Sequence, residues 1–340
     1  MKAKALQLGK AMSAALFVLL LVAVSTKNTL AQNQVATLQH GDEVSAYYGP
    51  TAFVQAHNNA TDGDIITLSS GSFTAPSEIT KAITLRGEGA VTDTATGSYP
   101  TIFAGEVRFN VANDSIPVNV EGILFSNKMV YRELNNPIFT RCNFNEINYY
   151  SDYFSMVNAQ FVNCIINTFY FNRAYSSTLF NSVVWNPNNI SSSQNVILYN
   201  SIMRNGNYGG ISANNSIIIK SGQYSPGSTC TFNNCIGINV YDSYSPFGSG
   251  YTNNCVAYSS YGDVFESFEG DFYLEEPFIL KDEIATGFLG NDGTQVGIHG
   301  GVMPYTSVPG YMLRTQVNVP NHSNIDGTLN VEIEIIDEGE

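Results

Sequence analysis

"FVNCIINTFYFN", residues 161–172, sets a cysteine behind an asparagine and ahead of two isoleucines and an aromatic cluster. Alone, Cys164 reads equally as a metal ligand, half of a disulfide or part of a core strand. The rest of the chain decides between them, because the stretch recurs. Asn163-Cys164-Ile165 is followed by Asn181-Ser182-Val183, Asn200-Ser201-Ile202, Asn215-Ser216-Ile217, Asn234-Cys235-Ile236 and Asn254-Cys255-Val256, and Arg141-Cys142 is a degenerate earlier copy. Successive Cys/Ser anchors are 22, 18, 19, 15, 19 and 20 residues apart, and Gly122 lies 20 residues before Cys142. Self-similarity at such a period is the signature of a solenoid.

The residues around each anchor specify the kind of coil. Three places before it stands Phe139, Phe161, Leu179, Leu198 or Phe232. Immediately before it stands an asparagine, and behind it come two apolar residues, as in Ile165-Ile166, Val183-Val184 and Ile217-Ile218. This reads as a strand, a one-residue bend and a second strand. Asparagine visits the left-handed backbone region more cheaply than other non-glycine residues, which suits it to the bend. Helical spacing and the leucine pattern of leucine-rich repeats are both absent. The expected fold is all-β: a parallel β-helix of about 20-residue coils, each strand pairing with its equivalent about 4.8 Å away.

On this reading Cys142, Cys164, Cys235 and Cys255 hold one repeat position that serine also fills. They are small structural residues, not metal ligands, since no tight Cys-x-x-Cys pair occurs. Disulfides between neighbouring coils stay open in an oxidising compartment, and Cys230 makes the number odd.

The ends read differently. Lys2, Lys4 and Lys10 precede a run of 14 mostly apolar residues, Ala11 to Val24, and Thr29 and Ala31 suit a cleavage site. Residues 1–31 are expected to be a signal peptide, the run being short for a membrane span. Cleavage would leave 309 residues with 11 lysines and arginines against 29 acids, a net charge near −18. That charge disfavours nucleic acid and anionic lipid as partners and makes polyanionic substrates unwelcome. Charged residues are only 13% of the chain against 44% hydrophobic, so the surface is largely Ser, Thr, Asn, Gly and Tyr, which favours β structure. Residues 32–62 read as an N-terminal lead ending in a cap helix, with Pro50 at its start and Ala52, Phe53 and Ala56 on one face. Residues 302–340 read as a C-terminal extension with a β-hairpin, "YMLRTQVNV" (311–319) and "LNVEIEII" (329–336) flanking a turn-rich stretch.

The repeat resembles the right-handed parallel β-helix of the pectate-lyase-like superfamily. "GDIITLSSGSFTAPSEITKAITLRGEG" (63–89) looks like the opening coils of secreted bacterial members, and "LGNDGTQVGIHGG" (289–301) like the closing coil of a group without established activity. The resemblance spans residues 63–301, the expected β-helix. It implies a polysaccharide lyase, with carboxylates holding calcium, or a glycoside hydrolase with grouped aspartates, if the protein is an enzyme at all. The middle coils are poor in such groups. Asp242, Asp263 and Glu266 are the only acids worth testing as catalytic, and no cofactor or metal site is expected. His40, His57, His299 and His322 are scattered, and no nucleophile-elbow, zinc-protease or phosphate-loop motif occurs.

Aromatic residues are more suggestive. Counted from the anchors, Tyr149, Tyr170, Tyr208, Tyr224, Tyr241 and Tyr261 fall six to eight places on. Stacked coil upon coil they would form a stripe fit for sugar rings or protein partners. The expectation is therefore an exported, non-catalytic, monomeric binding protein for polysaccharide or a host or surface protein. A carbohydrate-active enzyme and a purely structural module are the alternatives.

Overall fold

The computed structural model describes residues 34–92, 99–191, 193–204, 209–223, 225–242 and 244–307, and the backbone of 314–318 and 332–336. The expected signal peptide lies outside the described residues. No helix among the described residues is long and apolar enough to cross a membrane. The chain is a parallel β-solenoid of about 10 turns.

Two long sheets run along it, of 12 and 13 strands among the described residues. In the first sheet the residue three before each anchor forms a continuous row: Phe139 pairs with Phe161, then Leu179, Leu198, Ala213, Phe232 and Thr252. All but Thr252 are fully buried. Phe139 and Phe161 stack with ring centroids 5.2 Å apart, the offset geometry aromatic pairs prefer. In the second sheet the inward row runs Phe144, Ile166, Val184, Met203, Ile218, Gly237 and Ala257.

Between the two sheets sits the bend. Asn163, Asn181, Asn200, Asn215, Asn234 and Asn254 all have φ between 46° and 54°, and Arg141 holds the same conformation. The next residue points inward, and its X–H group explains why serine and cysteine interchange. The Ser201 hydroxyl donates to the Tyr199 carbonyl at 2.8 Å and accepts from the Ser182 amide at 3.2 Å. The Cys164 thiol likewise donates to the Phe139 and Val162 carbonyls. No disulfide joins the cysteines.

The N-terminal lead contains more than a helix. Val35–His40 and Glu43–Tyr48 form an antiparallel hairpin, and the first of these strands pairs antiparallel with Ile65–Leu68. The helix Ala52–Asn59 buries Ala52, Phe53, Ala56 and His57, with Phe53 packed 5.3 Å from Phe103. Ile65–Leu68 then pairs in parallel with Thr84–Arg86, which starts the stack. At the other end of the chain Arg314–Asn318 pairs antiparallel with Glu332–Ile336.

The stack ends earlier than the sequence suggests. Tyr251–Asn253 and Val256–Tyr258 are the last coil strands of the two sheets. Residues 289–301 are not a closing coil; they belong to a strap, residues 264–305, laid along the outside. The strap's Phe265, Phe268, Phe278, Leu280, Val296 and Ile298 form a second apolar cluster with the outward row Ile165, Val183, Ile202, Ile217 and Ile236. This explains the doublet after each anchor: one member faces the core and the other faces the strap. Strands buried on both faces read as unbroken apolar runs. Trp185 also faces outward, stacked on Phe272 at 4.9 Å.

The strap grips the bend asparagines. Asn181 Nδ2 donates to the Ile298 and Gly300 carbonyls at 2.8 and 2.6 Å. Asn163 donates to the Pro304 carbonyl, and Asn215 exchanges hydrogen bonds with Asn291. A close fit is required there: a Cβ on Gly300 would sit 1.7 Å from the Gln295 carbonyl oxygen. The bends of the last two coils are not held this way, and Asn254 donates instead to Asn234 at 2.5 Å.

Candidate functional site

At the end of the stack no described strand continues the two sheets. The inward residues of the last coil are Thr252, Cys255 and Ala257, all small, and Thr252 and Ala257 are exposed. Next to them lies a cleft of about 410 Å³ lined by Asn239, Asp242, Tyr244, Ser245, Pro246, Ala257, Tyr258, Ser259 and Asp263.

One wall is built on a buried lysine. Ile217–Lys220 places Lys220 level with Asn239 of the next coil. Lys220 is 3% exposed, and its Nζ donates to both oxygens of Asp242 at 2.8 and 2.9 Å. Asp242 Oδ1 also accepts from Asn239 Nδ2 at 3.0 Å and from the Tyr244 amide at 3.0 Å. Asn239 Oδ1 in turn accepts from the amides of Tyr241 and Asp242, and its Nδ2 also donates to the Tyr244 carbonyl. The loop is thereby fixed, with the Tyr244 ring 74% exposed and 5.4 Å from the ammonium group. Hydrogen bonds from Lys220, then Asn239, hold the Asp242 carboxyl below the usual aspartate range.

The other wall is a short turn. Ser260 and Asp263 cap one another, the Ser260 amide donating to Asp263 Oδ2 at 3.0 Å and the Asp263 amide to Ser260 Oγ at 3.2 Å. Ser260 and then Ser259 also lower the Asp263 pKa. Both carboxyls are thus shifted toward the ionised form. Glu266 is exposed and does not line the cleft. Among the described residues no three or more His, Cys, Asp or Glu side chains converge as a metal site would need.

The structure thus brings Asp242 and Asp263 together. Among the described residues it does not bring the tyrosines into one row. Tyr149 pairs with Tyr131, while Ile147 pairs with Phe169 and so sets Tyr170 level with Asn148, one place short of Tyr149. Tyr241 stands 56% exposed beyond the second sheet. Tyr261 starts the turn that leads into the strap, its ring edge-on to Phe268 at 5.0 Å. Tyr208 and Tyr224 lie outside the described residues. Tyr149 and Tyr170 miss each other because their own offsets differ, seven places from Cys142 against six from Cys164, while the strands keep the register of the anchors. Sequence reasoning also missed Tyr244, Tyr258, Asn239 and Lys220. A signal for them existed: a single lysine closing the run "IIIK" (217–220), one coil before "NVYDSY" (239–244), points to a buried ion pair across the coils.

A second cleft, of about 380 Å³, lies where the strap crosses the early coils, between Asn145, Asn167, Phe272, Tyr273 and Glu275. Its floor is an amide ladder in which Asn186 donates to Asn167 and Asn167 to Asn145 at 3.2 and 3.1 Å.

No protein-family model, curated protein or solved structure matches this chain.

Proposed function

We propose that this protein is an exported, non-catalytic binding β-solenoid that holds neutral carbohydrate in the cleft at the end of its stack. One observation carries the reading: an exposed tyrosine ring, Tyr244, shares a cleft with two hydrogen-bonded carboxylates, Asp242 and Asp263. A flat aromatic face with rigid acceptors around it suits a sugar ring, whose C–H face stacks while its hydroxyls donate. The acid pair is also where a glycosidase of the resembled superfamily would act. Such an enzyme needs one carboxyl whose pKa is raised, and the hydrogen bonds to Asp242 and Asp263 shift both the other way. Uronic-acid polymers fit poorly, since no lysine or arginine is among the residues lining the cleft and the nearby Lys220 is buried and engaged by Asp242. The tyrosine-stripe reading is narrowed accordingly to Tyr244 and its neighbours.

A glycan array probed with residues 32–340, beside Tyr244→Ala and Asp242→Asn, tests this. The expected result is binding to a defined set of neutral glycans, weakened about fivefold by loss of the ring, as an aromatic contact of about 1 kcal/mol predicts. Binding untouched by both changes removes the cleft from the proposal. Release of reducing ends, abolished in Asp242→Asn, replaces it with a hydrolase.

A further inference from the structure

The same end of the stack holds a pair of cysteines that the binding cleft does not use. Cys235 and Cys255 occupy one register position on the last two coils: Asn233 pairs with Asn253 before them and Ile236 with Val256 after them. In-register strands lie about 4.8 Å apart, inside the Cα separation a disulfide spans. Cys235 is buried and Cys255, on the last coil among the described residues, is partly exposed. The chain supplies its own comparison. Cys142 and Cys164 also lie level on adjacent coils, with Thr140 paired to Val162 and Asn143 to Ile165, yet both are fully buried.

We infer that Cys235 and Cys255 form a thiol–disulfide exchange site that takes small-molecule disulfides of the glutathione class. Cys255, the accessible member, attacks one sulfur of the disulfide as a thiolate. That S–S bond breaks, one small thiol leaves, and a mixed disulfide remains on Cys255. The Cys235 thiol, once deprotonated, attacks the Cys255 sulfur and expels the second small thiol. One small disulfide and two protein thiols become one protein disulfide and two small thiols, with no other oxidant needed. The electrostatics favour this order: a hydrogen bond from Cys235 lowers the Cys255 pKa to about 7, while burial raises that of Cys235. Burial pushes both Cys142 and Cys164 up, the latter to about 12, so the sealed pair has neither access nor thiolate.

The experiment treats the reduced native chain with oxidised glutathione, traps the remaining thiols with an alkylating agent and maps the peptides. The expected product is a Cys235–Cys255 link, with Cys142 and Cys164 recovered as thiols. Recovery of Cys255 as a thiol, a lasting mixed disulfide on it in the unaltered chain, or a Cys142–Cys164 link formed as fast would each overturn the assignment. Serine fills this position at Ser182, Ser201 and Ser216, so single serine variants keep the fold. Cys235→Ser is expected to trap one glutathionyl group on Cys255, and Cys255→Ser to leave Cys235 unmodified. An adduct on Cys235 in the latter also refutes the order of attack.

Discussion

Asn181 carries two separable burdens, and replacing it measures both. Its backbone sits at φ 46°, and its side chain ties the strap through the Ile298 and Gly300 carbonyls. In Asn181→Gly the bend survives and the tie is lost. Two hydrogen bonds disappear, at about 1 kcal/mol each. The Ile298 carbonyl keeps the Tyr305 amide at 2.7 Å, so Gly300 is the one exposed to an orphan penalty of about 1 kcal/mol. The expected loss is about 2–3 kcal/mol. In Asn181→Ala the left-handed backbone adds about 1–2 kcal/mol, partly offset by the smaller entropy of the unfolded alanine chain, about 0.4–1 kcal/mol. Alanine should therefore be the worse variant by up to about 1.6 kcal/mol. Urea denaturation followed by tryptophan fluorescence is well placed to read this. Trp185 is the one tryptophan in the chain, and it is packed under the strap against Phe272 and Phe268. A glycine variant as stable as the parent would mean that the side chain holds nothing. An alanine variant more stable than the glycine one would refute the bend argument.

Three further outcomes follow from the packing. Ser201→Val removes the acceptor of the buried Ser182 amide and is expected to cost about 2–3 kcal/mol, whereas Ser201→Cys keeps the X–H group and should change the urea midpoint little. Burial lowers the His57 pKa from 6.5 to about 4, so the unfolded chain takes up a proton that the folded chain refuses; thermal stability should be full above pH 6.5, fall toward pH 4 and level out below, and His57→Gln should flatten that slope. Asp242 is depressed by Lys220, so its contribution is present above the ordinary aspartate pKa and is lost as pH falls through the lower folded value; melting curves of Asp242→Asn should lack that acid-side loss, and an unchanged acid limb would count against the Lys220 pair.

The solenoid was legible because its residues repeat under one local constraint. Each asparagine occupies a bend where few residue types fit, and each Phe or Leu three places earlier lands on the same inward row. The strap was not legible, because it makes no repeat and its phenylalanines are scattered through the acidic stretch "EGDFYLEEPF" (269–278), which reads as loop. Its docking face was nevertheless written in the doublets Ile165-Ile166 and Val183-Val184, since a strand with one wet face has no use for both. The hairpin at Val35–Tyr48 was overlooked although Gly41, at φ 59°, marks its turn. Asp242 and Asp263 were singled out because the coils hold few acids, and both line the cleft. Tyr149 and Tyr170 do not share a row, because their offsets from the anchors differ by one place.

The strap changes what kind of folding unit this is. Coils of a solenoid ordinarily feel their immediate neighbours alone, so stability accumulates link by link and the array can melt in pieces. Here one polypeptide segment runs back down the stack, meeting Asn215 near residue 291, Asn181 near 298–300 and Asn163 at 304. Coils that never touch thus share a common fastening, and loosening any of them is felt by the rest. The turns carrying Asn234 and Asn254 fall beyond that fastening. The molecule should behave as a cooperative trunk with a looser tip, and hydrogen exchange should be fastest in the strands at 251–258, where the cleft and the thiol pair reside.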